Sequence, residues 1–130
     1  MNLSLKAIAL TSALIALTIM SGCSNSDVRL SAPTKNLGFL VTVEAKPGQE
    51  TNVAQFLASA AELAEKEEGT LTWYAFRIDE THFGIFDTFH STEARQAHLN
   101  GKIAEGLIGQ APQLFAAQPS IKPVEILASK

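Results

Sequence analysis

The chain of 130 residues has room for one domain of ordinary size. Its composition, 46% hydrophobic and 18% charged, is that of a globular protein. The formal charge of −3 and the lack of any Lys or Arg cluster remove the electrostatic basis for binding a phosphate backbone. We therefore expect no nucleic-acid partner.

The first 22 residues have the pattern of a targeting segment. Lys6 precedes the apolar run "AIALTSALIALTIM", which extends from residue 7 to residue 20. A run of this length is short for a bilayer span and is typical of the core of a signal peptide. We predict that residues 1–22 are a signal peptide and not part of the fold.

The only cysteine of the chain, Cys23, follows directly in the sequence "MSGC". This sequence resembles the bacterial lipobox, which implies that Cys23 is lipidated and becomes the first residue after cleavage. Ser24 at the next position then favours the periplasmic face of the outer membrane, in a cell that has one. Two alternatives are a general secretory signal with an incidental cysteine and a reactive thiol. The polar stretch after Cys23 offers little to lower a thiol pKa, and a lone cysteine forms no internal disulfide.

We interpret residues 23–36 as a flexible tether and residues 37–130 as the folded domain. "LGFLVTVE" alternates apolar positions from Leu37 onward, which predicts a strand that Pro47-Gly48 stops. From residue 50 to residue 67, apolar residues recur at spacings of three and four, which predicts an amphipathic helix ended by Gly69. "EKEE" at 65–68 is interpreted as its solvated last turn.

The second half of the domain carries three further strands and one clear helix. "TLTWYAFRI" (70–78) and "THFGIFDTFH" (81–90) flank a polar Asp79-Glu80 turn, which predicts a hairpin. Ser91 is a plausible N-cap for a helix over 91–99. Residues 101–115, interrupted by three glycines and Pro112, predict short helical or irregular pieces. Pro123 places the last strand at a sheet edge, or delays its start to Val124.

The predicted order β-α-β-β-α-β is that of an α+β, ferredoxin-like domain with a four-stranded antiparallel sheet and helices on one face. The strands carry large apolar residues on both sides, so the second face of the sheet would expose an apolar patch. We therefore expect a homodimer formed through that face.

Three segments together resemble the antibiotic biosynthesis monooxygenase superfamily: "VTVEAKPGQE", "EEGTLTWYAFR" and "FGIFDTFHSTEARQAHL". The resemblance covers roughly residues 37–127. It implies a dimeric α/β barrel and, for function, a monooxygenase or quinol oxidase that acts on a small phenol- or quinol-type aromatic compound at the cell envelope. Members without a cofactor rely on an electron-rich substrate to reduce O₂, so the protein supplies an apolar pocket, a base and donors for oxyanion charge.

On this resemblance, the candidate catalytic residues are His98, Trp73 and Arg77, and the candidate substrate-binding residues are Tyr74 and Asp87. His98 is a base or donor near neutral pH, Trp73 stacks on a planar substrate, and Arg77 stabilises an oxyanion. Trp73 and Arg77 lie four apart on one strand face, with Tyr74 on the other.

Each assignment has a structural alternative. Trp73 and Tyr74 are also the kind of aromatic that packs in a core or a dimer interface. Asp87 could simply pair with Arg77 across the hairpin. A non-catalytic envelope protein, which binds an apolar ligand or a protein partner in the same pocket, is therefore the second hypothesis.

No cofactor or metal is expected. The histidines at 82, 90 and 98 share no predicted face, no second cysteine joins them, and no glycine-rich phosphate loop occurs. Haem-degrading relatives carry an Asn and a His at positions that correspond here to residues near Val41 and Leu107, so haem degradation is not expected.

Overall fold

The computed structural model describes residues 36–130. The signal peptide and Cys23 lie outside the described residues, and so do all residues of the tether except Asn36. The elements are β1 (Leu37–Glu44), α1 (Glu50–Ala64), β2 (Thr70–Arg77), β3 (His82–Phe89), α2 (Thr92–Leu99), α3 (Lys102–Leu114) and β4 (Ser120–Glu125). Over residues 36–130, no helix is long and apolar enough to cross a membrane.

The four strands form one antiparallel sheet in the order β2-β3-β1-β4. The predicted ferredoxin-like α+β fold is confirmed. Residues paired across neighbouring strands share a face, so Phe39, Val41 and Val43 lie on the same face as Ile85 and Phe83. These side chains are buried together with the apolar faces of α1 and α3, which places the core on the helical side of the sheet.

Helix α1 ends at Ala64, three residues before the predicted end, and Gly69 is not its cap. Gly69 does not have the positive φ that favours glycine as a helix cap, because Gly48 is the one glycine with a positive φ in residues 36–130. A Cβ on Gly69 would lie 2.6 Å from Cβ of Ala94 in α2. Gly69 therefore permits a close approach between α2 and the segment that enters β2.

Helix α3 corrects the prediction of short, irregular pieces over 101–115. It is one continuous helix of 13 residues with Pro112 inside its last turn. Its buried residues, spaced by four, four and three, form a single apolar stripe: Ile103, Leu107, Ala111 and Leu114. Burial of this stripe outweighs the intrinsic helix-breaking preference of Gly106, Gly109 and Pro112.

Strand β4 lies at a sheet edge, as Pro123 predicted, and pairs with β1. The strand begins at Ser120 and not at Val124. Pro123 is tolerated there because an edge strand needs hydrogen-bond donors on one side only.

The sheet face away from the helices is open. Tyr74 and Phe76 of β2 lie on it with relative exposures of 58% and 40%. The ring of Phe76 lies directly over Gly84 of β3, where any Cβ would collide with it. Absence of a side chain at Gly84 therefore lets the aromatic ring lie flat on the sheet.

Candidate functional site

Helix α2 places His98 on the core side of the sheet. The helix is capped by Ser91, whose Oγ accepts a hydrogen bond from the Ala94 N–H at 3.0 Å. His98 lies in the last turn, is only 8% exposed, and its ring centroid is 5.1 Å from that of Phe89. A polar ring this deeply buried requires partners.

Both ring nitrogens of His98 face carboxylates. Nδ1 lies 2.5 Å from Oε2 of Glu67, and Nε2 lies 3.3 Å from Oδ2 of Asp87. The shorter contact is a charge-assisted hydrogen bond. The contact between Nε2 and Oδ2 of Asp87 is an ion-pair contact without hydrogen-bond geometry. Within residues 36–130, Oδ2 accepts no well-aligned hydrogen bond. We call Glu67, His98 and Asp87 the buried trio.

Asp87 is the most deeply buried member of the trio, with a relative exposure of 1%. Its Oδ1 accepts the backbone N–H of Phe39 on the neighbouring strand at 3.1 Å. A carboxylate in such a place is costly unless it is paired and hydrogen-bonded. His98 and the Phe39 N–H supply that compensation.

The pKa of His98 is raised above its ordinary value of 6.5. Burial is the largest single influence and works against protonation, but the contacts with Asp87 and Glu67 together outweigh it. The trio therefore favours an imidazolium held between two carboxylates.

Glu67 is the member of the trio that sequence reasoning missed. It lies in the "EKEE" segment, whose position predicts solvated acids, yet its Oε2 also accepts a hydrogen bond from the Thr70 hydroxyl at 2.7 Å. Its side chain is 23% exposed, which makes it the least buried of the three. No spacing rule separates Glu67 from Glu65 or Glu68, because α1 has already ended at Ala64 and helical periodicity no longer applies.

A cleft of about 740 Å³ opens beside the trio, within the size range of small-molecule sites. It is formed by the end of α1, the start of β2 and helix α2. Glu67 and His98 line it. Its apolar lining includes Leu63, Gly69, Ala94 and Ala97, and its other charged lining residues are Lys66, Glu68, Glu93 and Lys102.

Of the five predicted site residues, the structure brings His98 and Asp87 together. Trp73 is Asp87's cross-strand partner on β2, on the same sheet face, and packs partly against the core. Its indole Nε1 is buried and has no hydrogen-bond partner in the described part of the chain. Trp73 is not a lining residue of the cleft, so the expected convergence of Trp73 with His98 on one cavity is not found.

Arg77 and Tyr74 lie elsewhere. The guanidinium carbon of Arg77 lies 4.4 Å from the ring centroid of Phe83, and its NH1 donates to the Glu80 carbonyl at 3.1 Å. The alternative pairing of Asp87 with Arg77 is therefore wrong, because the register places Arg77 opposite Phe83. Tyr74 lies on the open face of the sheet, on the side opposite the trio.

Within residues 36–130, no group of three or more His, Cys, Asp or Glu is arranged to hold a metal ion. Val41 and Leu107, at the positions that the resemblance connects with haem ligation, are buried apolar core residues. Neither side chain can ligate haem iron.

No protein-family profile and no curated protein matches the chain. Among solved structures, it is 47% identical to the NE2512 protein of Nitrosomonas europaea, over 75% of this chain and 94% of that one, with a TM-score of 0.72. The chain belongs to the NE2512 family. NE2512 is itself a protein of unknown function.

Structures outside the NE2512 family share the fold at lower identity. PA3566 of Pseudomonas aeruginosa is 20% identical, covering 72% of this chain and 96% of its own, with a TM-score of 0.63. A proposed antibiotic biosynthesis monooxygenase of Nitrosomonas europaea is 13% identical, covering 71% and 99%, also with a TM-score of 0.63. These similarities establish an antibiotic biosynthesis monooxygenase-like fold.

Proposed function

We propose that this protein is an oxidoreductase that oxidises a small, electron-rich aromatic compound of the phenol or quinol type, without a bound cofactor. The observation that carries the proposal is the burial of His98 between two carboxylates at the wall of a cleft of about 740 Å³. An apolar cleft with a few converging polar groups, one of them with a perturbed pKa, is the usual form of an active site.

The structural neighbours support the reaction class. Besides the proposed monooxygenase of Nitrosomonas europaea, a second proposed antibiotic biosynthesis monooxygenase, from Caulobacter crescentus, shares the fold at 16% identity. A Bacteroides thetaiotaomicron protein with the same fold is described as a possible oxidoreductase. One fold hosts many activities, so the activity has to be argued from the site.

The chemistry needs no electron source besides the substrate. In the oxidase reaction, a quinol gives two electrons and two protons to O₂, which yields the quinone and H₂O₂. In the oxygenase reaction, O₂ converts an activated CH₂ group of an anthrone to a carbonyl and leaves one water. In both, the protein accepts or orients the proton of the substrate and excludes bulk water.

The buried trio is suited to the proton-handling part of this chemistry. His98 holds Glu67 in place through the 2.5 Å hydrogen bond, and Asp87 holds the opposite side of the ring. A catalytic role for Trp73 or Arg77, and substrate contacts by Tyr74 or Asp87, stay predictions.

The test is O₂ consumption by the purified full chain with a panel of quinols and anthrones. We expect His98→Gln to reduce the rate by up to about 10²-fold, because it removes the hydrogen bond that positions Glu67 and a small misplacement of a reacting group can cost that much. His90→Gln is the matched control, because His90 lines the same cleft but is exposed. Trp73→Phe tests the aromatic contribution, with a smaller expected effect. A folded protein that consumes no O₂ with any compound contradicts the proposal.

A second candidate function is binding of a small apolar ligand, or of a protein partner, without catalysis. The observation that favours it is that both ring nitrogens of His98 are already engaged. In that case the trio is a structural ion-pair network that shapes the cleft. Saturable binding of a quinol with no O₂ consumption would favour this function over the first.

We also propose that the open sheet face is covered by a second copy of the chain. Support comes from the exposed Tyr74 and Phe76, which form an apolar surface of the kind that associates. We expect a dimer by light scattering, and Tyr74→Lys with Phe76→Lys should give a monomer. Ile108→Lys, at a residue of α3 that is 50% exposed, is the control and should leave the dimer intact.

For location, we propose a lipoprotein anchored through Cys23 in the bacterial cell envelope, at the periplasmic face of the outer membrane where one exists. The support is the apolar run of residues 7–20 followed by the "MSGC" sequence. Mass spectrometry of the mature N-terminus tests it. An unmodified cysteine, or a chain that still begins at Met1, contradicts it.

A further inference from the structure

We infer that the ligand of the cleft is a neutral aromatic compound with a hydroxyl group, and that this hydroxyl donates its hydrogen bond to Glu67 and not to His98. The inference deepens the proposed function and rests on the same cleft. It adds the residue that contacts the ligand and the charge state of the ligand that the cleft accepts.

The His98 ring has no nitrogen left for a ligand. Nδ1 is bonded to Glu67 at 2.5 Å, and Nε2 faces Asp87 at 3.3 Å, on the buried side of the ring. The side chain is only 7% exposed. A ligand that enters the cleft can touch the ring, but it cannot form a hydrogen bond with it unless one carboxylate leaves.

Glu67 has the free capacity that His98 lacks. The hydrogen bonds from His98 and from the Thr70 hydroxyl both end on Oε2. Within residues 36–130 no donor is bonded to Oε1, and a Cβ on Gly101 would lie 3.1 Å from it. Glu67 and Gly101 both line the cleft, so Oε1 lies beside a residue with no side chain to cover it. An ionised carboxylate oxygen in such a place accepts further hydrogen bonds but donates none.

The charges of the cleft select against anions. With His98 protonated, the trio carries a net charge of −1, because two carboxylates flank one imidazolium. The other charged lining residues balance in number, since the two lysines Lys66 and Lys102 accompany the two glutamates Glu68 and Glu93. A carboxylate or a phenolate would therefore meet a like charge, whereas a neutral hydroxyl meets an acceptor.

The test measures binding without turnover. Phenol, its methyl ether anisole, and benzoate are titrated anaerobically into the full chain, and the ring signals of ¹⁵N-labelled His98 are followed by NMR. Phenol should bind about tenfold more tightly than anisole, the difference expected for a hydrogen bond to a charged acceptor. Benzoate should bind more weakly than phenol.

Glu67→Gln is the decisive variant, because the amide keeps the shape but turns one acceptor into a donor. The preference for phenol over anisole should fall to about twofold or less. Glu68→Gln, at the neighbouring acid on the same cleft, should leave it near tenfold. A merely structural role for Glu67 would weaken both ligands equally and leave their ratio unchanged.

Three outcomes overturn the inference: equal affinity of the original chain for phenol and anisole, a preference that survives Glu67→Gln, or tighter binding of benzoate than of phenol. The first and third need no variant, so they apply even if Glu67→Gln does not fold. Loss of O₂ consumption is a separate matter, because a chain that prefers phenol but consumes no O₂ contradicts the oxidoreductase proposal alone.

Discussion

Two histidines of this chain each form a close pair with a carboxylate, but they do so in opposite surroundings. His98 and Glu67 are separated by 31 residues, and their 2.5 Å contact joins a helix to the segment after another helix. His82 and Asp79 are separated by three residues, and their 2.9 Å contact lies in an exposed turn. The chemistry of the pairs is the same, whereas their burial and their sequence separation differ.

The turn pair is explained by local structure alone. Oδ1 of Asp79 accepts the backbone N–H groups of Thr81 and His82 at 2.9 and 2.8 Å, which is a turn motif that Asp favours. The hydrogen bond with the His82 side chain, followed by these two backbone bonds, lowers the pKa of Asp79 to about 2. The His98 pair instead depends on the packing of α2 against the sheet, so its loss should lower the stability of the whole fold.

The largest expected effect is at Asp87. Asp87→Ala leaves His98 without its inner partner and the Phe39 N–H without an acceptor in a buried place, and should cost about 3–5 kcal/mol of unfolding free energy. Urea denaturation measures it. Asp79→Ala, the same change in the exposed turn, should cost far less. Equal losses at the two positions would remove the distinction between the two regions.

Gly69→Ala tests whether the buried pair depends on close packing. The new Cβ would lie 2.6 Å from Cβ of Ala94, so α2 and the segment carrying Glu67 must separate. We expect a loss of about 1–3 kcal/mol in thermal or urea unfolding. Gly109→Ala is the control, because its Cβ would meet nothing within 4 Å, and we expect a gain of up to about 1 kcal/mol there.

The unfolding free energy should change with pH because His98 titrates. Its pKa is raised in the folded state, so the folded chain binds more protons above pH 6.5 than the unfolded chain does. The stabilisation is fully present below pH 6.5 and is lost as the pH rises through the folded-state pKa. Unfolding free energies between pH 6 and pH 9 should therefore fall, and His98→Gln should flatten this decline while His82→Gln retains it. A decline of the same size in His98→Gln would contradict the assignment.

The smallest effect is expected at Asp79. Its pKa is about 2 in the folded chain against an ordinary 3.8, so its contribution is present above pH 3.8 and is lost as the pH falls toward 2. The side chain is exposed, so solvent screens the interaction. At pH 5 the melting temperature of Asp79→Asn should be slightly lower than that of the original chain, and this difference should shrink as the pH falls to 2, where Asp79 becomes protonated. A difference of the same size at pH 2 as at pH 5 would contradict this assignment to the Asp79 carboxylate.

The local elements were predictable because each carries its own pattern. Alternation from Leu37, spacings of three and four after Glu50, Ser91 as an N-cap and Pro123 at an edge all correspond to the observed elements. Helix α3 was not predicted as one helix, because burial of its stripe against α1 and the sheet outweighs its glycines and Pro112. The pairing of Asp87 was also missed, because sequence proximity pointed to Arg77 across the hairpin.

The sequence by itself determined the order of the four strands and of helices α1 and α2, the presence of His98 on a helix after the third strand, and the open apolar face of the sheet. Short-range periodicity and capping chemistry decide these features, and they can be read along the chain. Only the tertiary structure selected Glu67 from a run of similar acids and joined it to His98, 31 residues away. The contact between Glu67 and His98 depends on how closely α2 approaches Gly69, and no local sequence pattern predicts that distance.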